Sequence, residues 1–338
     1  MGDMEQKEIN IYNEMKPFRF KPYLKTVIWG GDKIAPFKGI KTDKENIGES
    51  WEISGVPGHE SVCTDRGLAN DEDKGQTLFQ LIGKYKERLL GKRVFEHFGP
   101  NFPLLVKIID SKQDLSIQVH PNDQLAHRRH NCCGKTEMWY IIEAEQGAQI
   151  HVGLKKKITP EDYVRLATQE AGEGKNPFAD IMANYESHPG DCFFLPAGRL
   201  HAIGGGNLLA EIQQTSDITY RVYDYGRKDA DGHPRELHIE QAKEAIDYTV
   251  YPEYREVYDK TQASAELVSC PYFTVRREQI EGEQSIDYGC DSFVIALCLE
   301  GEAEINGISV RRGQTLLVPA EENTMHIAGH CTLLTATM

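Results

Sequence analysis

Four side chains in this sequence have the types and spacing of a metal site. Gln118 and His120, in LSIQVHPND, stand two residues apart, and an extended chain turns such residues to one face. Glu137 opens the apolar run EMWYIIEA, and His201 follows a Pro-Ala-Gly turn in FFLPAGRLHAI. Two imidazoles, a carboxylate and an amide oxygen suit a divalent cation: zinc readily, and also iron, cobalt or manganese. The competing reading is plain hydrogen bonding inside a sheet, since twelve histidines are available. Ser116, two before Gln118, and Lys135, two before Glu137, extend the same faces.

Strands must hold these groups. FPLLVKIID (102–110), LSIQVH (115–120), EMWYIIEA (137–144), AQIHVG (148–153), DCFFLPA (191–197) and LLAEIQQ (208–214) are short and rich in branched or aromatic residues. Gly, Pro, Asn and Asp punctuate them. Residues 77–98 instead carry apolar positions at helical spacing behind Thr77 as N-cap. Thr159-Pro160 opens a second helical stretch, placed at 159–185, and a third helix is expected near 238–247. GDCFFLPA (190–197) is echoed by GQTLLVPA (313–320), and Gly147 and Gly301 each end a strand run upstream. The expectation is a mainly β chain with inserted helices, built as two barrel-like units of which the second is reduced. The second unit retains Pro319 and His326, and Asp291 stands ten before Gly301 as Glu137 stands ten before Gly147. No His-rich strand precedes these, so this unit is expected to be metal-free. His127, His130, Cys132 and Cys133 read as a loop cluster rather than a second metal site.

Composition narrows the function. The chain has 338 residues, and 38 Lys+Arg against 52 Asp+Glu give a net charge of −14. Such a balance lacks the basic face that nucleic acid requires. No apolar run approaches the roughly 20 residues of a membrane span, so neither nucleic acid nor membrane is an expected partner. The first ten residues hold no apolar signal core, and the eight cysteines form no CxxC pair. They read as buried or incidental thiols of a cytoplasmic protein, against a disulfide scaffold or a thiolate zinc site. A monomer or weak homo-oligomer is expected.

The surroundings of the four candidate ligands add a resemblance. GDCFFLPAGRLH followed by Asn207 resembles the second motif of the cupin superfamily. Gln118-x-His120 with the later Glu137 resembles the first, with Gln for the leading His and sixteen residues between His120 and Glu137. That long insertion, containing HRRHNCCGK, is expected to form a loop over the metal. In order, SIQVHPND, GKTEMWYII, PAGRLHAI and EIQQTSDITYRVYDYGR resemble the type I mannose-6-phosphate isomerases (phosphomannose isomerases), in their short bacterial form. KPYLKTVIWGG, GESWEIS and FPLLVKIID support the match, which covers about residues 17–240. The expected division is a catalytic cupin domain over 1–245, with helical insertions near 77–98 and 159–185, and a cupin-like domain over 246–338.

The resemblance implies a zinc-dependent aldose–ketose isomerase that interconverts mannose 6-phosphate and fructose 6-phosphate through an enediol or enediolate. It assigns one Zn2+ per chain to Gln118, His120, Glu137 and His201. Arg221, in TYRVYDYGR, matches the family's arginine near the reacting carbons, where a fixed guanidinium charge suits an enediolate. Glu211 is a candidate base whose other reading is to orient Arg221 or Lys135. Lys135 resembles the substrate-side lysine, Ser116 offers a hydroxyl to the phosphate, and Arg227 stands where relatives carry a basic residue. Arg227 reads equally as a solvated loop charge, and Lys228 and Arg235 are weaker candidates. Two rival readings remain open. One is a non-haem iron cupin oxygenase, which two His and one carboxylate also permit. The other is a non-catalytic sugar-phosphate-binding cupin.

Overall fold

The structure, a computed structural model, describes residues 15–69, 71–169, 176–228, 231–322 and 324–338. The chain is mainly β, in two cupin-like units with inserted helices. The described strands form open antiparallel sheets rather than closed barrels. One unit contains Pro22–Val56 and Leu104–Tyr258; the other gathers the described residues up to Lys21, Pro57–Pro103 and Asp259–Met338. This division differs from the expected cut after residue 245. Strand Arg255–Glu256 pairs with Cys192 and Phe193, which keeps it in the first unit. The helical stretch after Thr77 belongs to the second.

The first unit has a seven-stranded and a five-stranded sheet. At the centre of the larger one, Leu104–Ser111 and Asn207–Gln214 are buried along their whole length, as two-sided cover requires. The two sheets face each other across a core that includes Ile109, Trp139, Phe193 and Leu209 from one and Ile150, Val152 and Ile203 from the other.

Strand alternation then divides the smaller sheet's residues between two tasks. Ile117, Val119, Ala202, Tyr220 and Val222 pack outward, with Leu125, Tyr163 and Ala242 of three covering helices. Each fully buried aliphatic side chain contributes about 1.5–3 kcal/mol. The residues between them, Gln118, Ile203 and Arg221, therefore turn inward and line a cavity.

The covering helices are Asp123–His130, Pro160–Thr168 and Ile239–Ala245. The first lies where a loop was expected. Asn122 accepts from Leu125 N at 2.9 Å as N-cap, and burial of Leu125 and Ala126 holds the turn against the sheet. Lys135 N donates to Pro121 O at 3.1 Å, so the helical excursion closes and returns the chain beside His120. The second starts at Thr159, as read, where the structure adds a capping box to Asp162, but it ends at Thr168; Met182–Glu186 is a strand. Residues 170–175 lie outside the described ones.

In the second unit an eight-stranded sheet is centred on the long strands Thr274–Asp287, Val294–Ile305 and Thr324–Thr337. The single helix expected over 77–98 is three: Leu78–Tyr85, Glu87–Leu90 and Lys92–Phe98. Thr77 caps the first, in a box with Gln80. Positive φ at Lys86 (50°) and Gly91 (88°) breaks the run. At Gly91 a Cβ would lie 2.5 Å from Asp291 O, so glycine is required there.

The internal echo is structural as well. Strands Cys192–Leu195 and Thr315–Val318 each begin two residues after a glycine with positive φ, Gly190 and Gly313. Leu195 pairs with Glu137, and Val318 pairs with Val294. Val294, not Asp291, is therefore the counterpart of Glu137. The Asp291 carboxylate instead accepts from Lys92 N and Arg93 N, both at 2.8 Å, and caps a helix. Among the described residues no helix is long and apolar enough to cross a membrane.

Candidate active site

The four predicted ligands converge. His120 follows strand Ile117–Val119, Glu137 opens strand Glu137–Ala144, and His201 opens strand His201–Ile203. Donor atoms of His120, Glu137 and His201, all buried, lie within 4.8 Å of one another. Glu137 Oε2 is 3.6 Å from His120 Nε2, and Oε1 is 3.3 Å from His201 Nε2. Gln118 sits opposite His201 in the strand register, its amide 3.4 Å from His201 Nε2.

Each imidazole is oriented from behind, with His120 Nδ1 2.8 Å from Ile218 O and His201 Nδ1 2.8 Å from Arg199 O. A proton on Nδ1 leaves the Nε2 lone pair facing Glu137, the arrangement that metal-ligating histidines adopt. Burial and the Lys135 charge hold His120 well below the ordinary imidazole range. Burial chiefly takes His201 to about 3, so both rings are neutral. Glu137 Oε1 is buried without a hydrogen-bond partner, while Oε2 has the Lys135 ammonium 2.9 Å away. Such an orphaned acceptor is costly, and a divalent cation between the two Nε2 atoms would satisfy it. The donor set fits a metal.

A row of alternating charge runs away from this cluster. Lys135 Nζ is 2.9 Å from Glu137 Oε2 and 4.0 Å from Glu211 Oε1. Glu211 Oε1 is 2.9 Å from Lys107 Nζ, which lies 3.9 Å from Glu49; Glu49 is 3.4 Å from Lys25. Trp139 Nε1 donates to Glu211 Oε2 at 2.9 Å. Burial pushes the Glu211 carboxyl up, but Lys107 and Lys135 outweigh it and bring it down to about 2. Glu137, buried and repelled by Glu211, rises to about 7.

A cavity of about 410 Å³ opens on these groups. Ser116, Gln118, Lys135, Glu211 and Arg221 line it, as the sequence reading requires. Arg227 is not on its wall: its guanidinium is bound to Asp224 and to the Asp114 carbonyl. Lys107, Lys25 and Glu49 were not singled out from the sequence, and Arg235 and His238 line the same cavity. The one local signal for Lys107 was a lone lysine inside the apolar run LLVKII.

Fold and site together define a cupin-type protein with a charged cavity and, beside it, a buried cluster able to hold a metal ion. Residues 18–163 match the phosphomannose isomerase type I catalytic domain, and residues 263–338 match the mannose-6-phosphate isomerase cupin domain. Mannose-6-phosphate isomerase ManA of Bacillus subtilis (strain 168) is 37% identical over 90% of this chain and 93% of its own length. The mannose-6-phosphate isomerase of Streptococcus mutans is 34% identical over 90% of this chain and 92% of its own. The crystal structure of a Bacillus subtilis mannose 6-phosphate isomerase has a TM-score of 0.81 at 32% identity, covering 96% of this chain and all of that one. The chain belongs to the type I phosphomannose isomerase family. It is an isomerase of that family.

Proposed function

We propose that this protein is a zinc-dependent aldose–ketose isomerase that interconverts mannose 6-phosphate and fructose 6-phosphate through an enediolate. The observation that carries the reading is the buried His120–Glu137–His201 cluster, with Glu137 Oε1 unpartnered, beside Gln118 and Lys135, which line a cavity rich in arginine and lysine. Gln118, His120, Glu137 and His201 would hold the ion. Bound zinc supplies a Lewis acid that polarises the sugar oxygens at C1 and C2. Arg221 stands opposite Gln118 in the strand register. Its permanent charge suits the negative charge carried by those oxygens in an enediolate.

Glu211 serves this site as an anchor. A carboxyl held near 2, with its oxygens engaged by Lys107 and Trp139, is a poor proton acceptor at neutral pH. It fixes the ammonium groups of Lys107 and Lys135 toward the cavity. Lys135 then faces the substrate from the metal side, and the Ser116 hydroxyl, 3.4 Å from Gln118 Oε1, faces the same cavity. All eight thiols are free, which accords with a reducing compartment such as the cytoplasm.

The test joins two measurements on one sample, elemental analysis and a coupled isomerase assay on mannose 6-phosphate. Zinc at one per chain with turnover is expected. Zinc-replete protein silent on this substrate would overturn the reading, and iron with oxygen uptake would replace it by an oxygenase.

A further inference from the structure

We infer that Arg235, positioned by Asp224, is the residue that recognises the phosphate end of the substrate; the inference rests on the proposed isomerase reading. Three strands set a direction. His201, Gln118 and Arg221 stand opposite one another in successive strands of the smaller sheet. Past Arg221 the row continues: His238 N donates to Arg221 O at 2.8 Å, and Arg221 N donates to His238 Nδ1 at 3.1 Å. The Arg221 guanidinium also donates, through Nη1, to Glu236 O at 3.0 Å. The segment Arg235–His238 thus lies two strand spacings from Gln118, about 10 Å at about 4.8 Å each. That is the span from the carbonyl end to the phosphate of an extended hexose 6-phosphate.

Asp224 decides which arginine serves. Its buried carboxylate takes both Arg227 and Arg235. Arg227 spends all three of its nitrogens inside the protein, on Asp224 and on Asp114 O. Arg235 uses Nε, 2.6 Å from Asp224 Oδ2, and Nη2. Among the described residues its Nη1 has no partner, and the side chain lines the cavity. Beside it Arg221 Nε is buried and also unpartnered. Arg221 serves the reacting end of the substrate, which leaves the Arg235 guanidinium, with Nη1 to spare, to meet a phosphate dianion that accepts N–H bonds from such a fork. Asp224 holds the fork still, so less freedom is lost on binding.

Arg235→Ala in the zinc-loaded, full-length enzyme should raise KM for mannose 6-phosphate by about 10- to 100-fold, the usual effect of deleting a charged hydrogen-bond donor. Turnover at saturation should change little, since the group binds ground and transition states alike. Inorganic phosphate, as competitive inhibitor, should weaken by the same factor. Arg235→Lys, which keeps the charge without the fork, should fall between the two proteins in both constants. An unchanged phosphate inhibition constant in either variant overturns the inference, as does a loss confined to kcat. Wild-type protein that binds inorganic phosphate in calorimetry but does not convert mannose 6-phosphate would sink the isomerase reading alone. Weaker phosphate binding by Arg235→Ala in that same experiment would still support the role of Arg235.

Discussion

Lys107 Nζ and Glu211 Oε1 lie 2.9 Å apart on directly opposed residues of neighbouring strands, with both side chains buried. The register extends on either side, to Trp139 beyond Glu211 and Trp51 beyond Lys107. Both indole N–H groups donate to carboxylates of this row, Trp139 to Glu211 at 2.9 Å and Trp51 to Glu49 at 2.7 Å. The arrangement keeps paired charged groups on a cavity wall within a buried sheet.

Removing one partner strands the other. Lys107→Ala leaves the Glu211 carboxylate buried, with Lys135 4.0 Å away as the remaining cation beside it among the described residues, and should cost about 3–5 kcal/mol. Replacing both, Lys107→Met with Glu211→Gln, should cost much less than the sum of the single changes. Thermal melts of the four proteins at neutral pH check this; additive losses would show that the two groups do not act as a pair.

The same pair fixes an acid limb. The Glu211 carboxyl is taken from its ordinary 4.5 down to about 2, burial being outweighed by Lys107 and Lys135. A carboxyl depressed on folding contributes stability above its unfolded value and loses it as pH falls through the folded one. The contribution should therefore be complete above about pH 4.5 and disappear between there and pH 2. Melting temperature against pH should fall more steeply in wild type than in Glu211→Gln over that window, with the two curves converging at its acid end. Parallel curves would contradict the assignment.

These residues mark where the sequence could and could not be read. Gln118, His120, Glu137 and His201 were legible because strand alternation and short motifs are local, and the structure brings all four together. Lys107 was not, because the partner that explains a lysine in an apolar strand lies 104 residues away. Arg227 and Arg235 share one polar stretch, and only the fold shows that Asp224 and Asp114 occupy the first while the second keeps a donor facing the cavity. Counting back ten residues from Gly301 selected Asp291, whereas pairing selects Val294, since the two strands have different lengths before their glycines. A hydrocarbon at Glu137's counterpart has no ligand atom to offer, so metal analysis should return one ion per chain, not two.

Gly91 offers a test of the second unit. Its φ of 88° with ψ of 150° is nearly closed to other residues, and a Cβ would meet Asp291 O at 2.5 Å. Gly91→Ala should therefore destabilise by about 1–3 kcal/mol from the backbone conformation, before the clash is added. Asp291→Ala, which removes the acceptor for Lys92 N and Arg93 N, should cost about 1 kcal/mol, the usual loss for a helix cap. Denaturant titration ranks the two; a Gly91→Ala protein as stable as wild type would mean that the Gly91–Asp291 approach can relax freely.

Metal retention and turnover should separate by residue. His201→Ala or His120→Ala removes an Nε2 donor from a buried cluster already oriented by Arg199 O and Ile218 O, so bound zinc should fall from one per chain to a small fraction after dialysis. Arg221 stands opposite Gln118 on the neighbouring strand. Arg221→Ala should keep its zinc while kcat falls about 100- to 1,000-fold, the range for losing a donor to a developing oxyanion. Elemental analysis and initial rates on the same preparations decide it. Zinc lost from Arg221→Ala along with activity would make the arginine a support of the metal site, and normal turnover would remove it from the chemistry altogether.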